Sequence, residues 1–314
     1  MPIPSDLFGY IAPEDRDPSV ERVHQRIMQD MPLLTSAGRP ITGTGEGKVV
    51  LLHKILEQVR GSYPILRQQI GDCVSFGWAK GIMVSLACDI AIRGENEEWP
   101  GDDICTEWIY GTSRVLVGRG RLGNGDGSIG SWAARAVRDH GTLLRRVYGQ
   151  FDLRSYSGQR AKDWGYRGLP AAELEPTADE HPISRTAAMV TSYEEARDAI
   201  ANGYAVPVCS NQGFSDRRDS EGFARPSGSW GHCMVFVSVD DTPGRPGLLC
   251  DNSWGGDWIS GPKRHDQPDG SFWVDASVSD RMLRQDDSYA VPGYEGFVLR
   301  DLVWDIVGIR EDLP

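Results

Sequence analysis

Two hydrophobic periods divide the chain. In its first half apolar residues recur every three to four positions. Over 48–60, Val49, Leu52, Ile55, Leu56 and Val59 form one stripe of a helix. From Cys73 onward, Val74, Trp78, Ile82, Leu86 and Ile90 recur every four residues, which predicts a helix of about five turns with one buried face. A third helix is expected over 128–139, with Gly141 as its stop. Between 148 and 180 the pattern fades into Gly, Pro and polar residues, a stretch expected to cross between two lobes. Ser192, with Glu195 three positions on, is a capping-box signature for a helix that ends near Gly203.

Beyond that helix the period falls to two. Residues 205–210, 233–239, 248–251 and 271–275 read as strands. Pro207 assigns the first to a sheet edge or a bulge, because proline cannot donate to a ladder. The second and third are joined by DDTPGRPG, a turn sequence. Helices first and antiparallel strands second predict an α+β chain. Residues 1–45, rich in Pro, Asp and Gly, are expected to form an arm wrapped on the surface.

Composition narrows the classes of function. Across 314 residues, 39% hydrophobic and 25% charged, the balance is that of a globular protein, and ten Trp with ten Tyr predict a large core. A formal charge of −12 argues against a nucleic-acid partner. The basic pair Arg145-Arg146 is expected on a solvated helix end. No membrane partner is expected, since no run of about 18 apolar residues occurs. The N-terminus lacks the basic start and apolar core of a secretory signal, so a cytoplasmic or virion-associated protein is expected. Cysteines 73, 88, 105, 209, 233 and 250 form no CxxC pair and the histidines show no paired ligand spacing, which predicts reduced thiols and no metal. The GRGRLG string at 118–123 runs into NGDGS rather than a helix, against a nucleotide site. NGDGS itself lacks the spaced carboxylates of a calcium loop.

One constellation carries chemistry. Cys73 opens a predicted helix, where the positive end of the helix favours a thiolate. A lone cysteine of this kind is ordinarily a buried core thiol. A nucleophile also needs a base, and the base needs an orienting group. His232 starts one predicted strand and Asn252 ends the next, so a hairpin would set the two side by side. Alone, the first reads as a core histidine and the second as a turn residue. At matched ends of one hairpin they say more.

Gly71-Asp72-Cys73, Gly231-His232 and Asn252-Ser253-Trp254-Gly255 together resemble the papain-like cysteine peptidases. Gly270-Ser271-Phe272-Trp273 and Gly127-Ser128 resemble further segments of that family, and the likeness spans roughly 60–280. His232 follows Cys73 by 159 residues, somewhat more than the family's usual interval of about 130–150. The resemblance implies a two-lobe fold, a helical lobe plus an antiparallel, barrel-like sheet lobe, with the active site in the cleft between them. The expected organisation is an arm over 1–45 and a catalytic domain over 46–300, with its helical lobe at about 46–165 and its sheet lobe at about 166–300. A tail follows over 301–314.

The implied reaction is hydrolysis of a peptide amide through a Cys73 acyl-enzyme. His232 would act as acid and base, and Asn252 would orient it. Trp254 would cover their hydrogen bond. No cofactor is implied, and the partner is a peptide or protein substrate. Three positions depart from the family pattern: Val74 stands where Trp is usual, Ile70 where a disulfide cysteine is usual, and Arg67 where the oxyanion glutamine is usual. Gln68 is expected to supply the oxyanion donor, with Gln69 as the alternative. Asp72 and Asp251 are expected to be bystanders, Asp72 pointing to solvent. Two other readings stand beside this one. A non-catalytic papain-like component of a larger assembly, viral among them, would keep the fold without the reaction, but has no need of a full Cys-His-Asn set. A cysteine amidase of cell-wall peptides shares the Asp-Cys string, yet has a far shorter Cys-to-His interval.

Overall fold

A computed structural model describes residues 5–34, 41–93, 102–180 and 187–292; the expected tail at 301–314 lies outside the described residues. The N-terminal segment contains helix α1 (Pro18–Gln29), started by Asp17, whose carboxylate accepts from the N–H groups of Ser19 and Val20 at 2.7 and 3.1 Å. The helix expected over 48–60 is shorter than its stripe. Val49–Val50 is drawn into the sheet as strand β1, and helix α2 runs over Leu52–Arg60 to a left-handed Gly61.

Helix α3 (Cys73–Arg93) is the axis of the molecule. One buried face was expected, but Val74, Trp78, Ala79, Ile82, Met83, Val84, Ala87 and Cys88 are all fully buried. Other elements press on it from several directions: α2, helix α4 (Thr106–Gly111), helix α5 (Gly130–His140) and the sheet. By length and composition Cys73–Ala91 could cross a membrane, yet 89% of that stretch is buried inside the protein.

The faded stretch at 148–180 is not a bare crossing. It holds helices α6 (Gly158–Arg167) and α7 (Ala171–Ala178), whose Ala161, Trp164 and Leu174 are buried. Too few apolar positions, and Pro176 inside α7, hid them. Arg145 is likewise not a solvated end. Its guanidinium lies 2.6 Å from the buried Glu107 carboxylate, which Arg160 also holds at 2.8 Å. The capping box is formed one position out of register. Ser192 Oγ caps the Glu195 N–H at 3.2 Å, while the Glu195 carboxylate reaches the N–H of Thr191 rather than that of Ser192. Helix α8 (Tyr193–Ala201) follows.

The sheet is antiparallel and built on one long hairpin, β2 (Val206–Arg218) and β3 (Ala224–Asp240). β1 and β2 pair with β3, as does β4 (Gly247–Asp251), and β5 (Phe272–Asp275) pairs with β4. Among the described residues β2 pairs within the sheet with β3, and its other edge carries isolated bridges from Val208 to Ser288 and from Arg217 to Ser260, an edge position that suits Pro207. Among the described residues the five strands do not close into a barrel. The hairpin is longer than its sequence suggests, because residues 211–231 are mostly Ser, Gly, Asp and Arg and are carried by bulges rather than alternation.

Where α3 crosses β3 the backbones almost touch. A Cβ on Gly77 would stand 2.9 Å from Cys233 Sγ and 3.0 Å from the Met234 carbonyl oxygen. That approach fixes the head of α3 against the segment 231–233. Gly77→Ala is therefore expected to cost about 1–3 kcal/mol despite alanine's better helix propensity. Urea unfolding of the variant checks this; an unchanged or raised midpoint would contradict the packing described.

Candidate active site

Cys73, the first residue of α3, is fully buried, and its Sγ accepts the backbone N–H of Cys233 at 3.3 Å. His232 precedes Cys233 on β3, and the pairing of β3 with β4 carries Asn252, just past the end of β4, to its side. His232 Nε2 donates to Asn252 Oδ1 at 2.8 Å, and the Ser253 N–H holds the same oxygen at 2.7 Å. With Oδ1 as acceptor, Nε2 carries the proton and Nδ1 keeps its lone pair. Nδ1 is buried and has no hydrogen-bond partner. The Trp254 ring lies 4.5 Å from the imidazole, centroid to centroid, tilted by 33°.

Gln68 is also buried at this point. Its Oε1 accepts from Ser253 Oγ at 2.5 Å, and its Nε2 donates to the carbonyls of Ile70 at 2.7 Å and Leu7 at 2.8 Å. Gln69 turns away, its Oε1 accepting the Gly158 N–H at 3.1 Å. The structure thus brings Cys73, His232, Asn252, Gln68 and Trp254 together and leaves the Gln69 side chain bonded to the start of α6.

Neither neighbouring aspartate is a solvent-facing bystander. Asp72 is buried, one oxygen accepting from the Tyr156 hydroxyl at 2.9 Å and the other without a partner. Burial pushes its carboxyl well above the usual carboxylate range, with Tyr156 acting against that shift. Asp251 pairs with the buried ammonium of Lys80 at 2.8 Å and accepts from Tyr63 at 2.8 Å, which ties the residue before Asn252 to α3.

Within the described part of the arm, residues 7–11 run through the site rather than over the surface. The Leu7 carbonyl takes the Gln68 amide, and Phe8 stacks on Trp230 at 6.1 Å and sits against Trp254 at 6.0 Å and His232 at 6.4 Å. Gly9 passes so close to the loop before Cys73 that a Cβ there would lie 1.9 Å from the Gly71 oxygen. Tyr10 donates its N–H to the Gly231 carbonyl at 2.9 Å, and its neighbours bracket Ser128 in a parallel bridge: Ser128 N–H to Gly9 O at 2.8 Å, Ile11 N–H to Ser128 O at 3.0 Å. Sequence reasoning missed these residues, since nothing in a Pro- and Asp-rich segment marks its destination. The small residues at 9, 71 and 231 were the available sign.

Burial under the arm sets the electrostatics. Desolvation drives the Cys73 thiol far up from its ordinary range, against the N–H groups of Cys233 and Gly9 that favour the anion. Desolvation also lowers His232 to about 4, against the Asn252 hydrogen bond. Both groups are neutral while the cleft is filled.

No family model matches the chain, and no curated protein matches it in sequence. Solved structures match in fold. Xylellain, a cysteine protease from Xylella fastidiosa, aligns with a TM-score of 0.61 at 15% identity, over 92% of this chain and 97% of that one. A digestive procathepsin L 3 from the larval midgut of Tenebrio molitor aligns with a TM-score of 0.50 at 14% identity, over 83% of this chain and 73% of that one. The fold is papain-like. At these identities the likeness speaks for the fold alone.

The lowered His232 gives a pH dependence of fixed sign. An unfolded imidazole titrates near 6.5 and the folded one near 4, so between those values the unfolded chain holds the extra proton. Stability therefore rises with pH across the window and falls on acidification, with a share of about 3 kcal/mol from this residue. Urea unfolding at pH 4.5 and 6.5, which spans about 2 kcal/mol of that share, should show this part of the pH dependence missing in His232→Gln.

Proposed function

We propose that this chain is a cysteine peptidase of papain-like mechanism whose cleft is occluded by its own N-terminal segment. One observation carries the reading. His232 commits Nε2 to Asn252 and keeps Nδ1 without a partner, and the residue after it, Cys233, donates its N–H to the sulfur of Cys73 at the head of α3. A core histidine would ordinarily satisfy both nitrogens.

When the segment lifts, water re-enters and both shifts relax. His232 Nδ1 can then take the Cys73 proton, and the thiolate attacks a peptide carbonyl. The Gln68 amide and the Cys73 N–H receive the developing oxyanion. The Leu7 carbonyl already accepts from Gln68, so this donor is aimed at a carbonyl oxygen now. His232 protonates the leaving amine. Water, deprotonated by His232, releases the acyl group.

The filled cleft supports a second reading, a papain-like chain that binds a partner through the same groove without turnover. The two are separated by a full-length chain in which Phe8→Ala loosens the segment. That chain should be labelled by a peptidyl thiol-reactive probe and should cleave peptide amides. Adding Cys73→Ala should abolish both. Adding Gln68→Ala should lower kcat/KM about 100-fold or more while labelling by a small alkylating agent persists. Equal peptide cleavage with and without Cys73 would sink the proposal. A loosened chain that binds peptides but never turns them over would favour the second reading.

A further inference from the structure

We infer that Cys233 and Cys209 are a resolving thiol pair for Cys73, and that the substrate of this added chemistry is a hydroperoxide. The oxidation passes from Cys73 to Cys233 and ends as a Cys209–Cys233 disulfide, which returns Cys73 as a thiol. The inference deepens the peptidase reading and rests on it, because both start from the same Cys73 thiolate.

Three of the six cysteines meet where α3 crosses the long hairpin, all of them buried and all free. Cys73 Sγ accepts the Cys233 N–H at 3.3 Å. The Cys233 sulfur itself lies over Gly77, one helical turn from Cys73 and on the same face of α3. Cys209 stands directly opposite Cys233 in the register of β2 and β3, and the two thiols are in hydrogen-bond contact. Directly opposed residues of an antiparallel pair have Cα atoms roughly 4.5–5.5 Å apart, inside the roughly 4.4–6.8 Å that a disulfide spans. The hairpin thus brings two further thiols, already paired in register, to the helix face that carries the nucleophile.

With the N-terminal segment in place the three sulfurs are closed off from solvent, and burial holds all three thiols protonated. With the segment lifted, the Cys73 thiolate that attacks a peptide carbonyl also attacks a peroxide oxygen. The O–O bond breaks, Cys73 becomes a sulfenic acid, and the departing hydroxide takes the proton held by His232 and leaves as water. The Cys233 thiol then attacks the Cys73 sulfur. Its proton goes to the sulfenic oxygen, which departs as a second water, and a Cys73–Cys233 disulfide remains. Cys209 next attacks the Cys233 sulfur across the ladder, losing its proton to solvent, and the electron pair of the broken bond returns to Cys73 as a thiolate. Peroxide has gained two electrons, two sulfurs have lost one each, and the products are one disulfide and two waters. The last exchange favours Cys209–Cys233 because the thiol with the more stable anion is the better leaving group, and Cys73 has the positive end of α3 to hold its anion. Without a resolving thiol the sulfenic acid goes on to sulfinic and sulfonic acids.

The test uses the full chain carrying Phe8→Ala, equimolar hydrogen peroxide as the probe, and peptide mass mapping after alkylation. The intact mass should fall by two hydrogens, the mapped link should join Cys209 to Cys233, and Cys73 should still take a peptidyl thiol-reactive probe. The chain with Phe8 in place, its cleft filled, should form the link at least about 10-fold more slowly. Cys73→Ser added to the loosened chain should slow it to a similar degree, about 10-fold or more. Cys209→Ala should halt the sequence at a Cys73–Cys233 disulfide, silent to the probe until dithiothreitol restores it; Cys209→Val is a second form that fills the space if alanine fails to fold. Cys233→Ala should leave cleavage unchanged before oxidation. After peroxide, its Cys73 should gain two or three oxygens and lose labelling permanently. Absence of the Cys209–Cys233 link, or a link that forms equally fast without Cys73, overturns the relay. A Cys73-dependent link in a chain that never cleaves a peptide keeps the relay and overturns the peptidase reading. Peptide cleavage by a chain whose Cys73 runs on to sulfinic acid with both partner thiols present does the reverse.

Discussion

The close crossing of α3 and β3 at Gly77 governs the molecule. Two elements far apart in sequence are held at backbone contact. Everything chemically distinctive then follows from position along each of them. Cys73 lies one helical turn before the crossing, and His232 is next to the strand residue that meets it. The sheet supplies the third member, because the pairing of β3 with β4 is what sets Asn252 beside His232. Lys80, about one turn beyond the crossing, then anchors Asp251 through a buried ion pair and so steadies the strand end that carries Asn252. A helix, a strand pair and one ion pair are mutually fixed, and each depends on the crossing.

The filled cleft and the protonation states are two aspects of one fact. A thiolate-imidazolium pair needs solvent or fixed dipoles around it. The N-terminal segment supplies Phe8 and Tyr10 in place of water, and burial then raises the thiol and lowers the imidazole together. The same segment inserts a carbonyl at Gln68 and a guanidinium at Asp287. Beneath it His232 Nδ1, Asn252 Nδ2, Trp254 Nε1 and one Asp72 oxygen stay without a hydrogen-bond partner.

Much of this was legible in the sequence where a signal was local. The four-residue recurrence from Val74 to Ile90 gave the central helix, and the hairpin turn DDTPGRPG placed His232 against Asn252. What failed was non-local. Burial of α3 on every side depends on what packs there, which its own period does not report. Residues 211–231 form a strand pair by register and bulges, with too little alternation to announce it. Asp72 and Asp251 looked like ordinary surface carboxylates because their partners, Tyr156 and Lys80, come from other elements. The destination of residues 5–12 was the least visible, since a segment with little hydrophobic period can be ordered entirely by the groove that receives it.

The segment that fills this cleft is tethered rather than dissolved. A segment joined to the body that it occupies acts at an effective concentration on the order of millimolar, whatever the concentration of the protein. Dilution does not release it, and a free peptide must compete against that local excess before it meets Cys73. The occupied fraction is therefore a property of each molecule alone. It changes only when the tether is cut or when another surface holds the segment more strongly than the cleft does.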